Sequence, residues 1–173
     1  MGTSLLGWAL SEQGKCAEAI VQLRRGLAIS QALRTDLGRP HYLTMLAQAL
    51  GRTGQFAEAS AVLDEALAMV TRQGGRTYDA MDVYHAKGEL LLAQGDGQDE
   101  EAGRHFARAL EISHQQGAKS LELRATLSLA RVLQRQGKRE EAHRRLAAIY
   151  GWFAEGLDST EMRAAKALLR ELA

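Results

Sequence analysis

One cysteine, one proline and few aromatic residues (two Trp, three Phe, four Tyr) stand among 173 residues. A lone thiol, Cys16, excludes an internal disulfide framework. With a single proline, Pro40, almost nothing in the chain forbids helix. Charge of one sign is missing too: 22 Lys and Arg against 21 Asp and Glu leave +1, which gives no global field to draw nucleic acid or an anionic membrane over a whole face. No stretch is apolar and uncharged for long enough to span a bilayer. The first residues, MGTSLLGWAL, lack the basic lead and full apolar run of a secretory signal, so the expected location is cytoplasmic. No Gly-rich phosphate loop ending in Lys and Ser or Thr occurs. What remains, 46% hydrophobic residues, is enough to bury a core in one domain or one short repeat array.

Repetition is what the sequence does have. Gly14-Lys-Cys-Ala-Glu-Ala19 is echoed at Gly54-Gln-Phe-Ala-Glu-Ala59 and at Gly137-Lys-Arg-Glu-Glu-Ala142. A shift of 40 lays Leu6 on Leu46, Gly7 on Ala47, Leu10 on Leu50, Leu23 on Leu63 and Gly26 on Ala66. A third copy carries Gly88, Leu91, Gly95, Ala102, Phe106 and Ala109, with two extra residues in the turn GDGQDEEA; a fourth carries Leu129, Ala130, Leu133, Gly137, Ala142 and Leu146. Apolar residues recur at three and four on either side of each glycine and never alternate, so each copy reads as two helices. Gly14, Gly54, Gly95 and Gly137 end the first helix in a positive-φ conformation. Small residues at the Gly7 and Ala19 positions let two helices approach, and Leu or Phe at the Leu23 position fills the layer between pairs.

These residues resemble the tetratricopeptide repeat, over roughly residues 2 to 153. The copies are spaced by 40 or more where the usual repeat is about 34 residues, so longer second helices are expected, stopped by Gly38, Gly74-Gly75 and Gly117 in place of the family's proline. Pro40 fits the first turn of a following helix. In the stretch after the fourth copy, Asp158-Ser-Thr-Glu161 reads as a helix start with Asp158 as cap. Met162, Ala165, Leu168, Leu169 and Leu172 form the stripe of a capping helix, which a solenoid end requires. The expected architecture is an all-α, right-handed α-solenoid: a single domain over 1–173, with repeats at about 2–38, 39–75, 76–117 and 118–153 and a capping helix at about 159–172.

Residues from Ala86 to the end also resemble the C-terminal region of large bacterial signalling proteins. The residues that carry the likeness are AKGELLLAQGD (86–96), the run from Phe106 to Ala142, and YGWFAEGLDSTEMRAAKALLREL. In those proteins a cyclase or DNA-binding module and a predicted signal-transduction ATPase precede tetratricopeptide repeats. This resemblance implies a protein-interaction or regulatory module; the alternative is a stand-alone adaptor gripping a peptide. In the repeat family the first helices line a concave groove. Transferring those offsets gives Ser4, Trp8 and Glu12; His41, Thr44, Gln48 and Arg52; Asp82, His85 and Glu89; and Arg124, Arg131 and Arg135 as groove residues. Each of them can equally be part of a solvated face, and Trp8 can either anchor a peptide or cover the end of the stack. The family's carboxylate-gripping positions hold Ser4, Trp8, Met45, Asp82 and Ala86, which is the wrong chemistry for that mode.

Charge is unevenly placed. Seven acidic residues stand against Lys87 between Asp79 and Glu101, and eight Lys or Arg against three Glu between Ala118 and Phe153. The basic run RQGKREEAHRR (135–145) fits an acidic protein partner or another domain, whereas the absence of interleaved aromatics argues against nucleic acid. Asp82, His85 and Glu89 share one helical face at i, i+3 and i+7, but no further His or Cys follows at ligand spacing. Cys16 has no adjacent base to activate it. No enzyme activity, metal or cofactor is expected. The expected partner is a protein, a peptide or an upstream domain of the same polypeptide, with no nucleic acid and no membrane. Self-association through Trp8 or the terminal helix stays open.

Overall fold

The computed structural model describes residues 2–33, 38–75, 79–95, 97–156 and 158–173, with side chains from Leu5 onward. Among them are nine helices and no strand: α1 (Gly2–Glu12), α2 (Cys16–Ala32), α3 (Arg39–Arg52), α4 (Phe56–Arg72), α5 (Ala80–Ala93), α6 (Asp99–Gln115), α7 (Lys119–Arg135), α8 (Arg139–Tyr150) and α9 (Thr160–Leu172). The fold is an all-α helical repeat. It divides into two compact units, residues 1–94 and 95–173. The helices expected to form the third pair, α5 and α6, therefore belong to different units, and each unit has its own core.

In the first unit α1 packs on α2 and α3 on α4, while α3 also lies against α2 and α5. The turns follow from glycine. Gly54 has φ 77°, which lets its N–H reach the Gly51 carbonyl (3.0 Å) and lets the Gln55 N–H reach back to the Leu50 carbonyl (3.0 Å). The last carbonyls of α3 are satisfied in this way before α4 begins one residue later. Packing between paired helices depends on the small-residue positions. A Cβ built on Gly7 would lie 2.7 Å from Leu23 Cγ and 3.2 Å from the Ala19 carbonyl oxygen, so α1 and α2 meet almost backbone to side chain. Gly7, Ala47, Gly88 and Ala130 are all buried, as are Leu23, Leu63, Phe106 and Leu146 across from them.

In the second unit α7 packs on α6, α8 and α9, and α8 also on α9. α2, α4 and α6 each run 17 residues, whereas α8 runs 12. Gly74, Gly75 and Gly117 have positive φ just beyond α4 and α6. Gly38, also at positive φ, is the N-cap of α3 and not the stop of α2; α2 ends at Ala32, with the Leu33 N–H on the Ile29 carbonyl at 3.0 Å, and residues 34–37 lie outside the described set. α9 buries Met162, Ala165, Leu168 and Leu172 and leaves Arg163, Lys166, Arg170 and Glu171 outward. Its cap is not Asp158. Ser159 occupies the N-cap in an extended conformation and accepts the Met162 N–H at 3.2 Å, because a cap must bond the amide two or three residues on, and the helix begins one residue later than the acid at 158 allows.

Candidate functional site

In the first unit, Gln48, Arg52 and Glu89 line one cleft of about 300 Å³ together with Ala47, Gly51, Leu63, Ala86, Leu90 and Ala93. Its floor is apolar because small residues at Ala47, Gly51 and Ala86 hold the facing helices α3 and α5 close without filling the space above them. Gly51 is the tightest point, a Cβ there meeting Leu90 Cδ1 at 3.2 Å. The rim is polar and carries both signs. Arg52 is fixed from behind: Nη1 donates to the Ser11 carbonyl (3.0 Å) and to Ser11 Oγ (3.1 Å), so its guanidinium ties the end of α1 to the end of α3. Glu12 stands 4.0 Å from the same guanidinium. Glu89 lies 3.8 Å from His85 Nε2, one turn back.

At the opposite end of α3 and α5, His41, Asp79 and Asp82 feel one another. Burial raises the Asp79 carboxyl above its ordinary value; His41 opposes the rise and Asp82 adds to it. Thr44 does not face a groove. It is buried, and its hydroxyl donates to the Pro40 carbonyl at 2.8 Å, the way a helical threonine satisfies itself one turn back. Trp8 is half exposed. The Ser4 side chain lies outside the described residues.

Arg131 and Arg135 line a different cleft, in the second unit, formed with Gln134, Ala164, Ala167, Leu168 and Glu171 between α7 and α9. Arg135 also pairs with Asp99 at 3.3 Å. Arg124 is half-buried on α7 and lines neither of these clefts. Among the described residues, no group of three or more His, Cys, Asp or Glu is placed to hold a metal ion, and Cys16 is a partly buried free thiol. No described helix is long and apolar enough to cross a membrane.

One cleft was missed from the sequence. Ala107, Leu110, Leu129 and Leu133 line a space of about 510 Å³ in the second unit, rimmed by Glu111, His114, Glu122, Glu141 and Arg145. At one position of the shared register the two units differ. In the first unit Arg24 of α2 reaches Glu58 of α4 and bridges the two second helices. The same positions in α6 and α8 hold Ala107 and Glu141, and Glu141 turns instead to Arg145, 2.8 Å away on its own helix. Aligning the four copies and noting Ala at the Arg24 position is the signal that finds it.

A tetratricopeptide repeat family model matches residues 4–33 and 41–72, which are α1–α2 and α3–α4. Those two helix pairs are tetratricopeptide repeats. Two crystal structures of nearly identical TPR-like repeats named for the kinesin light chain of Podosopora anserina superpose with TM-score 0.78, at 20% and 21% identity, over 99% of this chain and 83% of theirs. At that identity the likeness concerns the repeat fold alone. An uncharacterized protein of Rhizobium meliloti (strain 1021) is 30% identical over 130 residues, which is 74% of this chain and 12% of that protein. The chain thus spans a small part of the length of the curated relative it matches.

Proposed function

We propose that this chain is a non-catalytic protein-interaction module that holds a segment of a partner protein in the cleft between α3 and α5. One observation carries the reading: an apolar floor of small and aliphatic side chains lies under a rim where Gln48, Arg52 and Glu89 converge. That arrangement accepts an apolar side chain and orients its flanking backbone and charges, the usual division of labour in recognition. No nucleophile, base and orienting group stand together there to do chemistry. As a finer reading, the module regulates a longer bacterial signalling polypeptide with an upstream ATPase and a cyclase or DNA-binding output. The sequence resemblance motivates this; the Rhizobium meliloti relative, of which the match spans 12%, bears only on the length of such a polypeptide.

The test is a photo-reactive residue placed at Gln48, with the same residue at Ala68 on the exposed side of α4 as the control. Expressed in cells of the source organism, position 48 should cross-link to a defined protein segment, and Glu89→Arg should remove the cross-link while leaving the helical content unchanged. Cross-links of equal yield from position 68, or none from position 48, overturn the proposal. The finer reading fails separately: nucleotide turnover by the parent polypeptide that is indifferent to deleting the module rules it out without touching the cleft.

A further inference from the structure

We infer that the open face of α1, built on Leu5, Leu6, Ala9 and Leu10, is the seat of the second helix of a further helix pair preceding α1 in the natural polypeptide. The argument is one of register and is independent of the cleft. Three positions of each first helix, those of Leu6, Ala9 and Leu10, recur as Leu46, Ala49 and Leu50 in α3, as Lys87, Leu90 and Leu91 in α5, and as Leu129, Val132 and Leu133 in α7. In these later copies they are covered: Leu46 is 4% exposed and Leu129 8%, and Ala49, Leu50, Leu90, Leu91, Val132 and Leu133 are all buried. In α1 the equivalent Leu6 is 50% exposed, while Ala9 and Leu10 are partly exposed.

Each of these later first helices packs on the second helix of the preceding pair, and Leu90 meets Gly51 of the preceding first helix as well. α2 lies on α3, α4 on α5 and α6 on α7. The contact has its own pattern on the covering helix. Ser60 and Asp64 of α4 meet Lys87, and Gly103 of α6 lies against Val132, a Cβ there standing 3.4 Å from its Cγ1. The same position in α2 is the buried Ile20. The occupant of α1 therefore needs a small or aliphatic residue one place after its close-packing alanine, presented from a helix of about the length of α2. Trp8 takes no part, because its register position is exposed in the later copies too, as Gln48, Glu89 and Arg131. A second copy of this chain fits less well. Docked end to end it would set charged Arg163, Lys166 and Arg170, which α9 turns outward, against the leucines of α1.

The test extends the full chain with a duplicate of its own residues 1–40 placed before Met1. This length puts the duplicate's α2 on the native α1 in the register that α2 already keeps with α3. The expected result is a rise in melting midpoint of at least about 4 °C over the unextended chain. Leu6→Glu in the native copy should abolish that rise, while in the unextended chain, monomeric by light scattering, it should shift the midpoint by less than about 1 °C. The inference is overturned if extension leaves the midpoint unchanged, or if Leu6→Glu costs the same with and without it. It is equally overturned if the unextended chain is a dimer that Leu6→Glu dissociates, since the seat would then belong to a second copy.

Discussion

At the scale of single residues, glycine plays opposite parts within one helix type, and distance decides which. Gly7 and Gly103 both lie inside helices, where alanine is intrinsically better by about 1 kcal/mol. At Gly103 the added methyl meets only Val132 Cγ1 at 3.4 Å, an ordinary contact, so Gly103→Ala should stabilise the protein by about 0.5–1 kcal/mol. At Gly7 it would meet the branch carbon of Leu23 at 2.7 Å. Leu23 is fully buried and has nowhere to swing, so overpacking of about 1–3 kcal/mol outweighs the gain in propensity. Gly7→Ala should therefore lower stability by about 1 kcal/mol. Urea unfolding of the two variants under identical conditions checks the pair; two changes of the same sign would contradict the reading of either contact.

At the scale of elements, much was legible in the sequence because each helix pair repeats one set of sizes at fixed offsets. The positions of Gly54, Ala59 and Leu63 predict a turn, a close approach and a core residue, and the coordinates place all three so. Legibility failed where a choice rests on one bond. Thr44 sits at a groove offset, yet its hydroxyl turns inward to Pro40, and nothing in periodicity separates an inward threonine from an outward one. Asp158 and Ser159 are both good caps, and only backbone geometry selects the serine. Lys87 shows how far an element tolerates exception. It occupies the position of Leu46 and Leu129, and its side chain is mostly covered, with the ammonium on Ser60 Oγ at 3.3 Å and on Asp64. A half-buried ion pair gives back much of its attraction in desolvation. Lys87→Leu, which restores the residue type of the other copies and leaves only an exposed Asp64 unpaired, should leave stability unchanged or raise it by up to about 1 kcal/mol. Asp64→Ala, leaving the covered ammonium with one hydroxyl, should cost about 1 kcal/mol. Thermal melts of both variants test this asymmetry, and a loss above about 2 kcal/mol for Lys87→Leu would show the pair to be a net stabiliser.

At the scale of the whole molecule, the net charge of +1 and the repeat pattern say little about where partners go, since binding surfaces arise where a copy departs from the common pattern. The candidate groove illustrates this. Gln48, Arg52 and Glu89 share a cleft in the first unit, and Arg131 and Arg135 line one in the second, each with its own lining. The largest departure is Ala107, which leaves open the space that the Arg24–Glu58 pair spans in the first unit. If that departure alone creates the cleft, Ala107→Arg should close it by reaching Glu141 across the gap. An exposed ion pair of this kind contributes about 0–1 kcal/mol, so stability should hardly change while apolar surface disappears. Fluorescence of a hydrophobic dye reads that surface directly, and because α1 also offers exposed leucines, the comparison belongs in a Leu6→Glu background. The dye signal that survives Leu6→Glu should fall by at least about half on adding Ala107→Arg, and Ala107→Ser, too short to span the gap, should leave it in place. A signal equal in the arginine and serine variants would mean that Leu110, Leu129 and Leu133 are reached by another route, and that the missing bridge is not what holds the cleft open.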